Sequence, residues 1–206
     1  MKKNNKFSGW FSFLPCLTFS VFISVSACKS DKDNKGNLHY ISVKSIIEKQ
    51  VAHIDTSLYS IVKITIHDSL HSDTSYIPRE EFRNAAKDFL EIPDLSDTKI
   101  ANRFKEENRY DSLIRKVIIT YSPLNPKEEE IQKQELLVSP DVMVDSSNKV
   151  TNIIVDRVKK TRDGFWGQQM LWITDKSFLI TTTTQKPGES EKIVTTRVIW
   201  NDEGIQ

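Results

Sequence analysis

The second half of the chain alternates short runs of apolar and threonine residues with tight-turn signals. Turn-forming pairs stand at Asp163-Gly164, Asp175-Lys176 and Pro187-Gly188. Such pairs are typical of short connections between strands, and strands joined by short connections are antiparallel neighbours. The pattern therefore predicts an antiparallel meander. It argues against a parallel doubly wound sheet, which needs helices between its strands.

Eight segments of the chain predict β-strands, because apolar side chains recur in them with the two-residue period of a strand. Two lie early, at residues 59–67 and in a short segment that ends near Ile77. The other six follow Asp111, and their predicted ranges are 112–122, 131–138, 150–159, 166–174, 177–185 and 191–200.

The first part of the chain predicts helices. One is expected over residues 42–57, with Ser42 or Ser45 as its N-cap. A second should begin at Pro78 and stop before Pro93. Its apolar stripe has helical spacing and consists of Phe82, Ala85, Ala86, Phe89 and Leu90. A third, weaker helix is expected over 97–107.

Together these elements predict an α+β domain, in which N-terminal helices pack on a curved antiparallel sheet of about six to eight strands. An open half-barrel is one form of this architecture. The domain is expected to cover residues 39–206, a length sufficient to bury most of its apolar surface. No second linker divides this region.

The N-terminus has the three parts of a secretory signal peptide. Lys2, Lys3 and Lys6 form a basic start, a largely apolar stretch covers residues 10–25, and small residues follow. The apolar stretch is shorter and more polar than a membrane-spanning helix, which needs about 20 apolar residues. Residues 1–27 are therefore expected to be removed.

The segment Val25-Ser26-Ala27-Cys28 resembles the lipobox of bacterial lipoproteins. This resemblance covers residues 1–28 only. It implies cleavage between Ala27 and Cys28 and a diacylglyceryl thioether on Cys28, with palmitate or a similar acyl chain on the new amino group. Two or three acyl chains would anchor the protein firmly, whereas one binds only marginally. The alternative is an ordinary signal peptide that is cut after Ala27 and leaves Cys28 unmodified.

Residues 28–38 are expected to form the lipidated N-terminus and a flexible polar tether. Lys29 follows Cys28 where lipoproteins retained at the inner membrane carry Asp, so the resemblance implies the outer membrane, at its periplasmic face or the cell surface. Without the first 27 residues the chain has 26 basic and 28 acidic side chains. This balance argues against a nucleic-acid partner, which would favour a basic excess.

Two groups of side chains are candidate sites. Trp166, Trp172 and Trp200 could line a groove for an apolar ligand, although aromatic packing in the sheet core is the favoured interpretation. His67 and His71 lie near acidic residues and are candidate metal ligands. Polar turn residues in solvent are the favoured explanation for that pair.

The sequence contains no G-x-S-x-G, HExxH or phosphate-binding glycine motif. A non-enzymatic envelope lipoprotein is therefore expected, one that binds an apolar ligand or another envelope protein. It would need no cofactor besides the covalent lipid on Cys28. Two alternatives remain open, a scaffold or interaction module of an envelope complex and a hydrolase whose site assembles only in the folded chain.

Overall fold

A computed structural model describes residues 40–67, 71–140 and 149–201 of the chain. The predicted signal peptide, the Ala27–Cys28 cleavage site and the 28–38 tether lie outside the described residues. Four helices occur in the described ranges, namely α1 Val43–Thr56, α2 Arg79–Ala85, α3 Lys87–Leu90 and α4 Thr98–Ala101. Within these ranges no helix has both the length and the apolar character needed to cross a membrane.

The described residues also form nine strands in one open antiparallel sheet, so the predicted α+β class is confirmed while the strand count exceeds the predicted six to eight. The strands are β1 Val62–Ile66, β2 Ser72–Tyr76, β3 Phe104–Asp111, β4 Lys116–Pro123, β5 Ile131–Ser139, β6 Lys149–Thr161, β7 Gly164–Ile173, β8 Ser177–Gln185 and β9 Lys192–Ile199. Their spatial order is β2-β1-β9-β8-β7-β6-β5-β4-β3. In the part of the chain that is described, β2 and β3 are therefore the sheet edges.

The strand that sequence reasoning missed is β3. The predicted third helix over 97–107 is wrong beyond its first turn, because α4 ends at Ala101 and β3 begins at Phe104. Most residues of β3 are charged, so it has no apolar stripe with the period of a helix or of a strand. Its strand form comes from continuous pairing with β4, from Phe104 opposite Pro123 to Asp111 opposite Lys116.

The predicted second helix is interrupted at Ala86. This residue has φ −89° and ψ 4°, outside the helical range, and separates α2 from α3. The predicted apolar stripe survives the break, since Phe82, Ala86 and Phe89 are all buried. The break therefore changes the path of the backbone but keeps these three side chains in the core.

The first helix agrees closely with its prediction. The Ser42 hydroxyl oxygen accepts the Ser45 backbone N–H at 3.1 Å, which identifies Ser42 as the N-cap. The same hydroxyl donates to the Asp94 carboxylate at 2.7 Å. This second bond connects the start of α1 to the segment that follows α3.

An aromatic cluster joins helix and strand residues in the core. Phe82 of α2 and Phe89 of α3 contact Trp172 of β7, with ring centroids 6.4 Å and 5.1 Å apart. Phe178 of β8 stacks on Trp172 at 5.3 Å, and Trp200, directly after β9, also lies 5.3 Å from Trp172. These ring contacts join α2 and α3 to β7 and β8.

The central strands have one buried and one half-buried face. In β8, Phe178 and Ile180 are buried, whereas Leu179 and Thr181 are only partly covered. We call the buried side the core face; its central row consists of Leu136, Ile153, Trp172, Phe178 and Val198. We call the other side the outer face; its half-buried apolar side chains include Leu137, Ile154, Leu171, Leu179 and Ile199.

Candidate functional site

The structure separates the three tryptophans that the sequence grouped. Trp172 and Trp200 belong to the aromatic cluster, with exposed fractions of 0% and 3%. Such fractions leave no surface for a ligand on these two rings. Trp166 is half-buried and lies elsewhere on β7, beside charged side chains. The three residues therefore do not line a common groove.

Trp166 lies beside two cations. The Arg157 guanidinium is 5.3 Å from the ring centroid, and the Lys159 ammonium is 5.2 Å from it. Contacts of this kind are worth about 0.5–2 kcal/mol, depending on how far the cation is removed from water. The ring thus helps to hold Arg157 at the border of the core.

Arg157 is the centre of a polar cluster that connects α3 with the core face. Its Nε donates to Glu130 Oε1 at 2.8 Å, and its Nη2 donates to the same oxygen. Its Nη1 donates to the Asp88 backbone carbonyl and to Gln168 Oε1, both at 3.3 Å. Gln168 Nε2 donates in turn to the Asp88 carboxylate at 2.9 Å. Partners within the chain thus occupy all three guanidinium nitrogens, which indicates a structural role.

Glu130 balances the charge of this cluster. Burial acts to raise the pKa of its carboxyl group, but hydrogen bonds and charge from Arg157 and Lys159 outweigh burial and lower it. A carboxyl group with a lowered pKa is ionised at neutral pH. The cluster therefore pairs opposite charges instead of presenting a free anion or cation.

His67 follows β1 and His71 precedes β2. The His67 backbone N–H donates to the His71 carbonyl at 3.0 Å, and His67 Nε2 is 3.4 Å from the Asp73 carboxylate. Both imidazoles are exposed. Among the described residues, which exclude 68–70, no group of three or more His, Cys, Asp or Glu side chains is placed to hold a metal ion. Both histidines thus lie in solvent next to the ends of β1 and β2.

The outer face carries a depression at the centre of the sheet, with a volume of about 310 Å³. Ile154, Leu171 and Leu179 contribute its apolar part. These residues stand directly opposite one another on β6, β7 and β8. Their side chains therefore form one continuous apolar row on the outer face.

A polar row borders the apolar row, two residues away along each strand. It consists of Asp156, Gln169 and Thr181, again in direct register. Lys133 of β5 lies 3.4 Å from the Asp156 carboxylate and 3.1 Å from the Glu135 carboxylate. Burial acts to lower the pKa of Lys133, but hydrogen bonds and charge from Glu135 and Asp156 outweigh burial and raise it. Arg197 stands opposite Leu179 at the other end of the apolar row, so two cations and two carboxylates border this row.

An apolar centre with a polar rim is the usual anatomy of a protein interface. The volume of the depression lies at the lower limit for small-molecule pockets, which span about 300–1,000 Å³. It is large enough for an anchoring side chain of a partner protein. The depression is therefore the candidate functional site.

Sequence reasoning missed this site, although a signal was present. Each of its three strands has a continuous apolar run, namely Ile153-Ile154-Val155, Met170-Leu171-Trp172 and Phe178-Leu179-Ile180. Continuous runs predict strands that are apolar on both faces. Since the core face uses only alternate residues, the remaining apolar side chains must point to the outer face.

Known proteins offer no guide to this surface. The sequence matches no protein-family description, and the searches of curated proteins and of solved structures also find no match. The residues of the chain itself are therefore the basis for assigning a function.

Proposed function

We propose that the protein is a lipid-anchored binding protein of the bacterial envelope, whose outer sheet face docks a partner protein. The observation that carries this proposal is the apolar row of Ile154, Leu171 and Leu179, which stays half-buried while the core face is filled. Burying apolar surface is worth roughly 25 cal/mol per Å², and contiguous exposed apolar patches mark interaction sites. A protein partner would gain this free energy by covering the row.

The rim defines the chemistry of the partner. The ion-paired Lys133 borders the row on one side and Arg197 stands opposite Leu179 on the other, so groups of both charges surround the row. The partner should present a branched or aromatic side chain to the depression, with polar side chains of both charges around it. Such electrostatic matching contributes mainly to specificity and to the rate of association.

In this proposal the helices form a layer over the core face, and the sheet bends around them as an open half-barrel. The ring contacts of Phe82 and Phe89 with Trp172 support this arrangement. Because Trp172 and Trp200 are buried, the aromatic cluster stabilises the fold and is not exposed to a ligand. A protein-docking module thus has more support than a carrier that holds an apolar ligand on these rings.

The lipobox supports the membrane anchor. Replacing Cys28 by alanine in the full chain should move the protein from the membrane to the soluble fraction, because the thioether cannot form. Fractionation and incorporation of labelled palmitate would measure this change. Cys16→Ala is the matched control and should stay anchored, since Cys16 lies in the predicted signal peptide. Membrane association that survives Cys28→Ala would contradict the anchor.

A photoreactive residue at Gln169 should cross-link the partner, because this exposed side chain lies at the rim of the depression. Expression in the native bacterium should yield one defined adduct, identifiable by mass spectrometry. Leu171→Glu should abolish it. With the purified partner, this change should weaken binding by about 2 kcal/mol or more, roughly 30-fold in Kd.

The same photoreactive residue at Leu124 is the matched control. Leu124 is 63% exposed and follows β4, away from the depression. Circular dichroism would verify that Leu171→Glu remains folded. The docking proposal fails if Leu124 gives the same adduct as Gln169, or if the Gln169 adduct persists in the folded Leu171→Glu variant.

A further inference from the structure

We infer that β3 pairs antiparallel with β3 of a second copy of this chain, across a two-fold axis at Asn108. β3 is an edge of the sheet formed by the described residues, and six of its eight residues are exposed. An exposed edge offers backbone donors and acceptors to another strand. The pairing would join two sheets into one continuous sheet.

The hydrogen bonds of β3 identify which backbone groups face outward. The Leu124 N–H donates to the Arg103 carbonyl at 2.8 Å, in the same register as the ladder between β3 and β4. Because bonded pairs alternate in an antiparallel ladder, Lys105, Glu107 and Arg109 also bond to β4. The alternate residues Glu106, Asn108 and Tyr110 therefore direct their backbone groups away from it.

Phe104 provides an independent check of this assignment. Its carbonyl accepts a hydrogen bond from the Tyr40 hydroxyl at 2.8 Å, so that carbonyl does not bond to β4. Its neighbour in the register is Pro123, which has no N–H to donate. Phe104 thus belongs to the outward set, and the free edge extends from Glu106 to Tyr110.

The charges of β3 are self-complementary about Asn108. With Asn108 opposite Asn108 of the second copy, Lys105 stands opposite Asp111 of that copy. Glu107 stands opposite Arg109 of that copy, and the two-fold axis repeats both pairs. These are non-bonded pairs of the new ladder, in which side chains approach most closely. Oppositely charged cross-strand pairs stabilise a sheet.

The charge order also disfavours neighbouring registers. An axis at Glu107 would place Glu107 opposite itself and Lys105 opposite Arg109. An axis at Arg109 would place Arg109 opposite itself and Glu107 opposite Asp111. Like charges directly opposite one another are destabilising. Within one chain Lys105 already contacts Glu107 at 2.6 Å, and Arg109 contacts Asp111 at 3.6 Å. The second copy would extend these contacts into a network.

The position of Tyr40, the first described residue, is compatible with this pairing. Tyr40 lies at the β3 edge and contacts the Tyr121 ring on the core face, with centroids 4.6 Å apart. A two-fold axis perpendicular to the sheet keeps both core faces on the same side. Tyr40 of both copies therefore lies on one side of the combined sheet.

Asn108→Cys in the full chain should give a disulfide-linked dimer under mild oxidation. The Cα atoms of a bonded pair are about 5.5 Å apart, within the range of a disulfide. Lys105→Cys is the matched control on the same strand and should not cross-link by itself. Its two copies would stand six residues apart along the ladder, or roughly 20 Å. A mixture of Lys105→Cys and Asp111→Cys chains should cross-link, and the unchanged chain gives the background from Cys16 and Cys28.

A charge exchange tests the register. In the Asn108→Cys background, Glu107→Arg or Arg109→Glu should each reduce dimer yield roughly fivefold or more, because each creates like-charge pairs. The double change Glu107→Arg with Arg109→Glu restores opposite charges and should restore the yield. Thermal unfolding by circular dichroism should be similar for all these variants. The inference is overturned if Asn108→Cys gives no more disulfide-linked dimer than the unchanged chain, or if Lys105→Cys alone gives as much dimer as Asn108→Cys. It is also overturned if the double change fails to restore the dimer yield.

Discussion

Replacing Trp172 by alanine should lower the free energy of unfolding by about 3–5 kcal/mol. The indole is fully buried and contacts the rings of Phe82, Phe89, Phe178 and Trp200. Truncation removes these contacts and leaves a cavity in the aromatic cluster. Because domains of this kind are stable by only about 5–15 kcal/mol, the loss is severe. Urea unfolding should show a lower midpoint with an unchanged slope.

Two other substitutions calibrate this result. Trp172→Phe should lower the free energy of unfolding by less than Trp172→Ala. A ring remains in this variant, and the lost indole N–H has no hydrogen-bond partner among the described residues. Trp166→Ala should cost about 1 kcal/mol, chiefly through its cation contacts. An equal loss for Trp166→Ala and Trp172→Ala would contradict the different burial of these two residues on β7.

Replacing Arg157 by alanine should lower the free energy of unfolding by about 3–5 kcal/mol, as expected when one partner of a buried ion pair is removed. Arg157 is 6% exposed. Its removal leaves Glu130, Gln168 and the Asp88 carbonyl without their common donor. Arg157→Lys should recover part of the loss, since a lysine keeps the charge but lacks the planar fork. Urea unfolding at neutral pH would measure all three proteins.

Lys159→Ala is the matched control for Arg157→Ala. Lys159 pairs with the other oxygen of Glu130 at 3.1 Å and contacts the same Trp166 ring, but its side chain is 51% exposed. Exposed ion pairs contribute about 0–1 kcal/mol, so this variant should remain close to the original stability. Similar losses for both variants would show that the pairing with Glu130, and not burial, determines the stability of the cluster.

The meander from β4 to β9 was predictable because its signals are local. Asp163-Gly164 and Asp175-Lys176 each connect two consecutive strands, and Asp175 adopts φ 62°, a conformation that such turns accept. The predicted strand centres agree with the structure, and differences are confined to the ends. The first helix was predictable for the same reason, since Ser42 caps the residues that follow it.

Elements that depend on distant partners were not predictable. β3 has no apolar period, and only its pairing with β4 identifies it as a strand. Ala86 fits the helical stripe, and its sequence gives no sign of the break between α2 and α3. The placement of β1 beside β9 joins opposite ends of the described chain, for which no local pattern exists. Such features are decided by tertiary contacts.

The same distinction applies to the candidate sites. Aromatic composition identified Trp166, Trp172 and Trp200 but could not tell that two are buried and one is beside Arg157. The Arg157 cluster assembles side chains from α3, β6 and β7 with the segment before β5, so it has no sequence motif. The continuous apolar runs of β6, β7 and β8 are the sequence signal of the depression on the outer face. Its site residues emerge only when the strands are placed in register.

The pairing of β1 with β9 has a consequence for the order of folding. Consecutive hairpins from β3 to β9 can close over short loops, whereas β1 and β2 join the sheet only through the last strand. Contacts between distant segments form slowly, because the entropy of closing a long loop must be overcome first. A ribosome must therefore release β9 before the N-terminal hairpin can find its place. Completion of the sheet therefore depends on β9, the last strand of the described chain.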